Sequence, residues 1–224
     1  LKMFKSITHV IYDVDGLLLD TESLHEEVNQ KIARRYGKTF DTNAKIKIAG
    51  RPTLDSATIL VDTLKLPLTP EAYLAERNEL LYPLYKTAKA LPGTLRLSQH
   101  LHKHNIPQAI ASSSSRRHFE MKTVLHQEWL KIFHRFTLGD DPEIKQGKPA
   151  PDIFLLTAER MGVSPSQCLV FEDSIAGIKA AIAAGMSVVA IPDPIFNKQL
   201  FQDATQVLHS MTEFDPQQWN LPSF

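Results

Sequence analysis

The run His9-Val10-Ile11-Tyr12-Asp13-Val14-Asp15-Gly16 constrains this chain more than any other segment. An apolar stretch rich in β-branched and aromatic residues reads as a buried strand, and two aspartates arrive where it ends. Adjacent acids inside a protein are destabilising unless a cation or a proton neutralises them. In open α/β sheets, ligands bind beyond the carboxyl ends of the strands. The pair, two residues apart and so on one side of an extended chain, predicts a reaction centre. The expectation is a Mg²⁺-dependent phosphoryl-transfer site at Asp13 and Asp15. An EF-hand loop is a poor match, because Leu17 takes the third ligand position and a strand precedes the motif.

Further strand-like runs fall at 108–111, 136–138, 168–171 and 187–191, after a first one at 7–12. The later ones alternate with helical stretches, the rhythm of a parallel sheet. The first gap differs: it holds only amphipathic helical patterning. Leu24, Val28, Ile32 and Tyr36 mark one helix, with Ser23 and Glu26 spaced as a capping box and Gly37 as the stop. Leu54, Thr58, Val61 and Leu64 form a second stripe. Thr69-Pro70-Glu71 starts a third helix that Pro83 should kink or end. The expected architecture is α/β: a Rossmann-like parallel-sheet core, residues 1–20 plus 88–224, with a small helical cap, 21–87, inserted after the first strand. Both connections leave near the carboxyl edge, so the insert can act as a lid.

Composition narrows the partners. Lys plus Arg and Asp plus Glu both number 25 in 224 residues, which removes the electrostatic case for a nucleic-acid polymer or an anionic membrane. No apolar run is long enough to span a bilayer. The single cysteine, Cys168, opens an apolar run and reads as buried filler. The first residues run into the strand too quickly for a secretory leader, so a monomeric cytoplasmic protein acting on a small phosphorylated metabolite is expected.

Other strand ends carry complementary chemistry. The second strand runs into Ser112-Ser113-Ser114-Ser115, hydroxyls ahead of a helix N-terminus whose free amides suit a phosphate. Lys148, held between Gly147 and Pro149, can neutralise a phosphate as a point charge. The fourth run ends in Glu172-Asp173, oxygen donors of the kind Mg²⁺ takes. His100 and His104 share a helical face without a further ligand nearby and read as an exposed helix end.

This ordered set, Asp-x-Asp-Gly, a strand-end serine, Gly-Lys-Pro and an apolar strand ending in Glu-Asp, resembles the haloacid dehalogenase superfamily of phosphohydrolases. Leu138-Gly139-Asp140-Asp141-Pro142-Glu143, Pro151-Asp152-Ile153-Phe154, Phe119-Glu120-Met121-Lys122-Thr123 and Leu221-Pro222-Ser223 look like its pseudouridine-5'-phosphatase branch. The resemblance implies Asp13 as nucleophile, Asp15 as acid and base, and Ser112, the Ser113 amide and Lys148 as phosphate ligands. It also implies Mg²⁺ held by Asp13, the Asp15 carbonyl, Asp173 and, directly or through water, Glu172. A neighbouring Asp13 and a substrate dianion are expected to raise the pKa of Asp15. Asp20, Glu22, His25, Arg51 and Arg77 are the expected substrate contacts from the insert. Pseudouridine 5'-phosphate is the leading substrate. A β-phosphoglucomutase-like mutase is the alternative, although Gly50-Arg51-Pro52-Thr53 lacks the Gly-x-Ser-Arg of such enzymes. A catalytically silent binding module is the remote one.

Overall fold

The computed structural model describes residues 3–49 and 51–224; Leu1, Lys2 and Gly50, the last in the expected loop beside Arg51, lie outside them. The regular elements are β1 (His9–Tyr12), α1 (Glu22–Arg35), α2 (Thr42–Ile48), α3 (Thr53–Leu64), α4 (Pro70–Tyr85), α5 (Thr94–Lys103), β2 (Gln108–Ser112), α6 (Arg116–Lys122) and α7 (Gln127–Leu130). Then follow β3 (Arg135–Leu138), α8 (Asp152–Met161), β4 (Cys168–Glu172), α9 (Ile175–Ala183), β5 (Ser187–Ala190) and β6 (Gln206–Val207).

The strands form one six-stranded sheet in the order β3-β2-β1-β4-β5-β6, parallel throughout. The chain moves outward from β1 through β2 to β3, then crosses back to lay β4 on the other side of β1. That reversal is a topological switch point, and it opens a crevice beyond the carboxyl ends of β1 and β4. Tyr12 pairs with Phe171 across the two strands, so Asp13 and Glu172 emerge at the same level.

Alternation sends Val10, Tyr12, Ile110, Leu169 and Phe171 to one face, against Leu97 and Leu101 of α5 and Trp129. Ile11, Ala109, Ala111, Val170 and Val188 face the other side, against α8 and α9. Helices on both faces explain why these strands read as continuous apolar runs. Cys168 is fully buried on this second face.

Helices α1–α4 occupy the interval between β1 and β2 and share a core of their own, including Val28, Ile32, Leu60, Tyr73 and Leu81. A buried hydrogen bond from the Tyr73 hydroxyl to Asn29 Oδ1, 2.5 Å, ties α4 to α1. The segments leading out and back lie side by side: Asp20 N donates to Lys89 O and Leu91 N to Leu18 O, both 2.9 Å. Lys45 of α2 reaches across to Asp193, 2.8 Å, in the loop after β5.

Several local expectations need correction. Ser23 and Glu26 make no capping box. Instead the Asp20 carboxylate accepts from Ser23 N at 3.2 Å and from its hydroxyl at 2.8 Å, so α1 begins one residue before Ser23. On α3 the buried positions are Ala57, Leu60 and Val61, whereas Leu54 is half exposed. Thr58 turns outward and returns its hydroxyl to Leu54 O at 2.9 Å. The Thr69 cap forms as expected, accepting from Ala72 N at 3.1 Å, and α4 runs two residues past Pro83 before ending. His100 is not a free helix end: its Nε2 meets Pro222 O at 2.9 Å. No described helix is long and apolar enough to cross a membrane.

Candidate active site

Asp13 follows β1 directly, 7% exposed, its amide donating to Phe171 O at 3.1 Å. Its Oδ1 accepts from Lys148 Nζ at 2.6 Å, and Lys148 also donates to Glu172 Oε1 at 2.6 Å and Ala111 O at 3.2 Å. One ammonium, its side chain 6% exposed, is thus shared between two buried carboxylates and a strand-end carbonyl. Asp13 Oδ2 accepts no hydrogen bond among the described residues.

Glu172 is fully buried. Its Oε2 accepts from the amides of Asp173 and Ser174, each at 3.1 Å, and from the Ser174 hydroxyl at 3.0 Å. The start of α9 passes so near that a Cβ on Gly177 would lie 1.8 Å from Glu172 Oε1. Gly16, at φ +75°, similarly leaves room that a Cβ would deny, 2.5 Å from Asp173 Oδ2. These two approaches require glycine.

Asp13, Glu172 and Asp173 place carboxylate oxygens within 4.8 Å of one another. Burial pushes the Asp13 carboxyl up to about 7 against the pull of Lys148, with Glu172 and Asp15 adding to the push. Burial, Glu172, Asp13 and Glu22 drive Asp173 well above the usual carboxylate range. Three crowded acids with one shared lysine form an all-oxygen, charge-deficient donor set, which fits a hard dication such as Mg²⁺.

The strand-end serines divide their roles. Ser112 is fully buried, and its hydroxyl accepts from Ser114 N at 3.2 Å. Ser113 is exposed at the mouth, and its carbonyl would meet a Cβ on Gly139 at 2.1 Å. Ser113 and Lys148 line a small recess with Gly139, Gly147, Ile144 and Ile153. Ser115 caps α6 through His118 N.

Asp15 sits among groups that oppose one another. Burial does push its carboxyl up, but Lys122, Ser114 and Thr21 outweigh it and hold the group below its ordinary range. Lys122 Nζ lies 2.7 Å from Asp15 Oδ1, and the Ser114 hydroxyl donates to Oδ2 at 2.8 Å. Of these, Lys122 drew no assignment from sequence. A lysine on a short amphipathic helix looks solvated until the fold buries it.

Asp20, just before the insert, accepts from the first-turn amide of Ser23 at 3.2 Å, one residue ahead of the Thr21 N-cap of α1. Glu22 stands at the rim of the crevice, its Cγ 3.3 Å from where a Gly16 Cβ would be. Desolvation and Asp15 raise its pKa against the pull of Lys45 and Lys122. His25 is held neutral, at about 4, by burial and by Arg77. The Tyr85 hydroxyl lies 3.4 Å from its Nε2. Arg77 forms no ion pair among the described residues; its Nη2 donates to Asn78 at 3.4 Å. Arg51 is exposed, its Nε donating to Lys47 O at 2.8 Å. Tyr82 of α4 and His118 of α6, ring centroids 4.9 Å apart, add an aromatic contact between insert and core that the sequence did not suggest.

The model of the haloacid dehalogenase-like hydrolases matches residues 7–185. The chain is 46% identical over 224 residues to (DL)-glycerol-3-phosphatase 1, mitochondrial, of Arabidopsis thaliana, covering 98% of this chain and 75% of that protein. It is 42% identical to a probable pseudouridine-5'-phosphatase of Drosophila melanogaster, covering 100% and 98%. A solved putative beta-phosphoglucomutase from Thermotoga maritima superposes with a TM-score of 0.77 at 28% identity, covering 96% and 97%. The chain is therefore an enzyme and belongs to the haloacid dehalogenase-like hydrolase family.

Proposed function

We propose that this chain is a Mg²⁺-dependent phosphomonoester hydrolase that works through an aspartyl-phosphate on Asp13. The observation that carries the reading is Asp13 itself: a carboxylate at the switch point with one oxygen on Lys148 and the other unengaged. Asp13, Asp173 and the Asp15 carbonyl would hold Mg²⁺, with Glu172 acting through water, since both its oxygens already have partners. Bound there, the ion supplies positive charge that offsets repulsion between a carboxylate and a phosphate dianion. Lys148, the Ser112 hydroxyl and the Ser113 amide hold the phosphate oxygens. Asp13 attacks phosphorus, and Asp15 gives its proton to the departing oxygen, then takes one from the water that hydrolyses the intermediate. In this reading residues 21–87 form the cap over a core of 1–20 plus 88–224, and Glu22, His25 and Arg77 face the substrate.

Pseudouridine 5'-phosphate is the leading substrate, supported by the full-length Drosophila relative and by the rings of His25, Tyr82, Tyr85 and His118 gathered where cap meets core. Glycerol 3-phosphate is the second reading, favoured by relatives at 46% and 44% identity. Phosphate release from a panel of nucleoside, sugar and glycerol phosphates with Mg²⁺ decides between them. A rearranged sugar phosphate without free phosphate would favour a mutase instead.

A further inference from the structure

We infer that Lys122 is a positioning residue that aims the Asp15 carboxyl at the departing oxygen; the inference rests on the phosphatase reading above. Lys122 ends α6, within the Phe119–Thr123 run but outside the four strand-end motifs that build the site, and it is 5% exposed. Its Nζ meets Asp15 Oδ1 at 2.7 Å and donates to Ser114 Oγ at 2.7 Å, while the Ser114 hydroxyl donates to Asp15 Oδ2 at 2.8 Å. The three groups close a ring in which Oδ2 accepts a hydrogen bond and Oδ1 is held by an ion pair alone. A further contact fixes the lysine: its Nζ stands 4.7 Å from the centroid of Tyr85, on the insert helix α4. A buried ammonium persists only where such partners compensate it. Here all of them converge on one acid.

The consequence concerns one bond. As an Asp13 oxygen bonds to phosphorus, the ester P–O bond breaks and its electron pair stays on the leaving oxygen. In the free chain Lys122 holds Asp15 ionised; the arriving phosphate dianion raises its pKa, so Asp15 takes up a solvent proton as the complex forms. The leaving oxygen takes that proton, while Lys122 keeps its own and holds the carboxyl's direction. An alkoxide leaving group needs that proton; a nitrophenolate leaves without it. Loss of positioning therefore falls on alkyl esters, whereas general structural damage falls on every substrate.

The test compares kcat/KM for an alkyl ester, whichever of pseudouridine 5'-phosphate and glycerol 3-phosphate the parent cleaves better, and p-nitrophenyl phosphate in the parent, Lys122→Met, Lys122→Gln and Lys122→Arg, with melting curves to establish folding. Since kcat/KM reports from free enzyme and substrate through the first irreversible step, it includes binding and leaving-group departure and excludes hydrolysis of the intermediate. Lys122→Met is expected to lower the alkyl value about 100-fold or more and the aryl value less than about tenfold. Lys122→Arg should recover most of the alkyl loss. Lys122→Gln keeps a donor without the charge and serves if the methionine variant does not fold. Equal losses on both esters in a cooperatively melting variant would overturn the inference. A parent enzyme that releases phosphate from none of the nucleoside, sugar, glycerol and nitrophenyl phosphates would instead remove the phosphatase reading on which it stands.

Discussion

Replacing Lys148 with methionine probes the site's electrostatics without touching the nucleophile. The ammonium contacts Asp13 and Glu172 at 2.6 Å each, and the three side chains are 6%, 10% and 0% exposed. Removing one member of such a buried set leaves charge uncompensated, a loss of about 3–5 kcal/mol. In a domain of this length each kcal/mol moves Tm by about 2–4 °C, so the variant should melt roughly 6–20 °C lower. The loss also carries a pH signature. Asp13 already has its pKa raised from 3.8 to about 7. A raised folded-state pKa means that the native state binds a proton the unfolded state does not, so this group's cost grows as pH rises from about 4 to 7 and is complete above it. The gap between parent and variant should accordingly be wider at pH 8 than at pH 5, where Asp13 is protonated in both. Differential scanning fluorimetry in EDTA at the two pH values reads this directly. A variant melting within about 2 °C of the parent at pH 8 would show that Lys148 does not compensate these acids.

Other substitutions extend the test. Asp13→Asn should abolish phosphate release while keeping cooperative unfolding, read by malachite green and thermal melts. In EDTA the raised Asp13 pKa contributes a loss of stability as pH rises from about 4 to 7, opposed by the gain from neutral His25; Asp13→Asn should therefore melt higher than the parent at pH 8 by more than at pH 5, and an equal difference at both would contradict the raised pKa. Mg²⁺ should raise Tm more at pH 8 than at pH 5, with proton release detectable by calorimetry in buffers of different ionisation enthalpy. Gly177→Ala would push a methyl into Glu172, so kcat should fall at least about tenfold, by the sensitivity of catalysis to misplacement of about an ångström.

Much of the core site was legible because its residues lie at strand ends, where an apolar run stops abruptly at a charge. Asp13, Glu172 and Asp173 stand out locally in this way, Lys148 by its place between Gly147 and Pro149, and the fold brings them together. Lys122 did not, since its partner Asp15 is remote in sequence and only tertiary burial distinguishes it from a solvated lysine. The same holds for Lys45, whose pairing with Asp193 spans insert and core. Helix α2 has seven residues and β6 two, too few to show a period. The α3 stripe misled because Leu54 sits in the first turn at the open edge of the insert, where spacing alone does not tell covered from uncovered. The direction of the Asp15 shift in the free chain likewise depends on Lys122.

A crystal grown with Mg²⁺ and beryllium trifluoride tests the nucleophile most directly. Beryllium should bond to an Asp13 carboxylate oxygen, with fluorines against Lys148 Nζ, the Ser112 hydroxyl and the Ser113 amide, and Mg²⁺ between Asp13 and Asp173. Beryllofluoride on any other side chain, or a free Asp13 beside bound Mg²⁺, would contradict it.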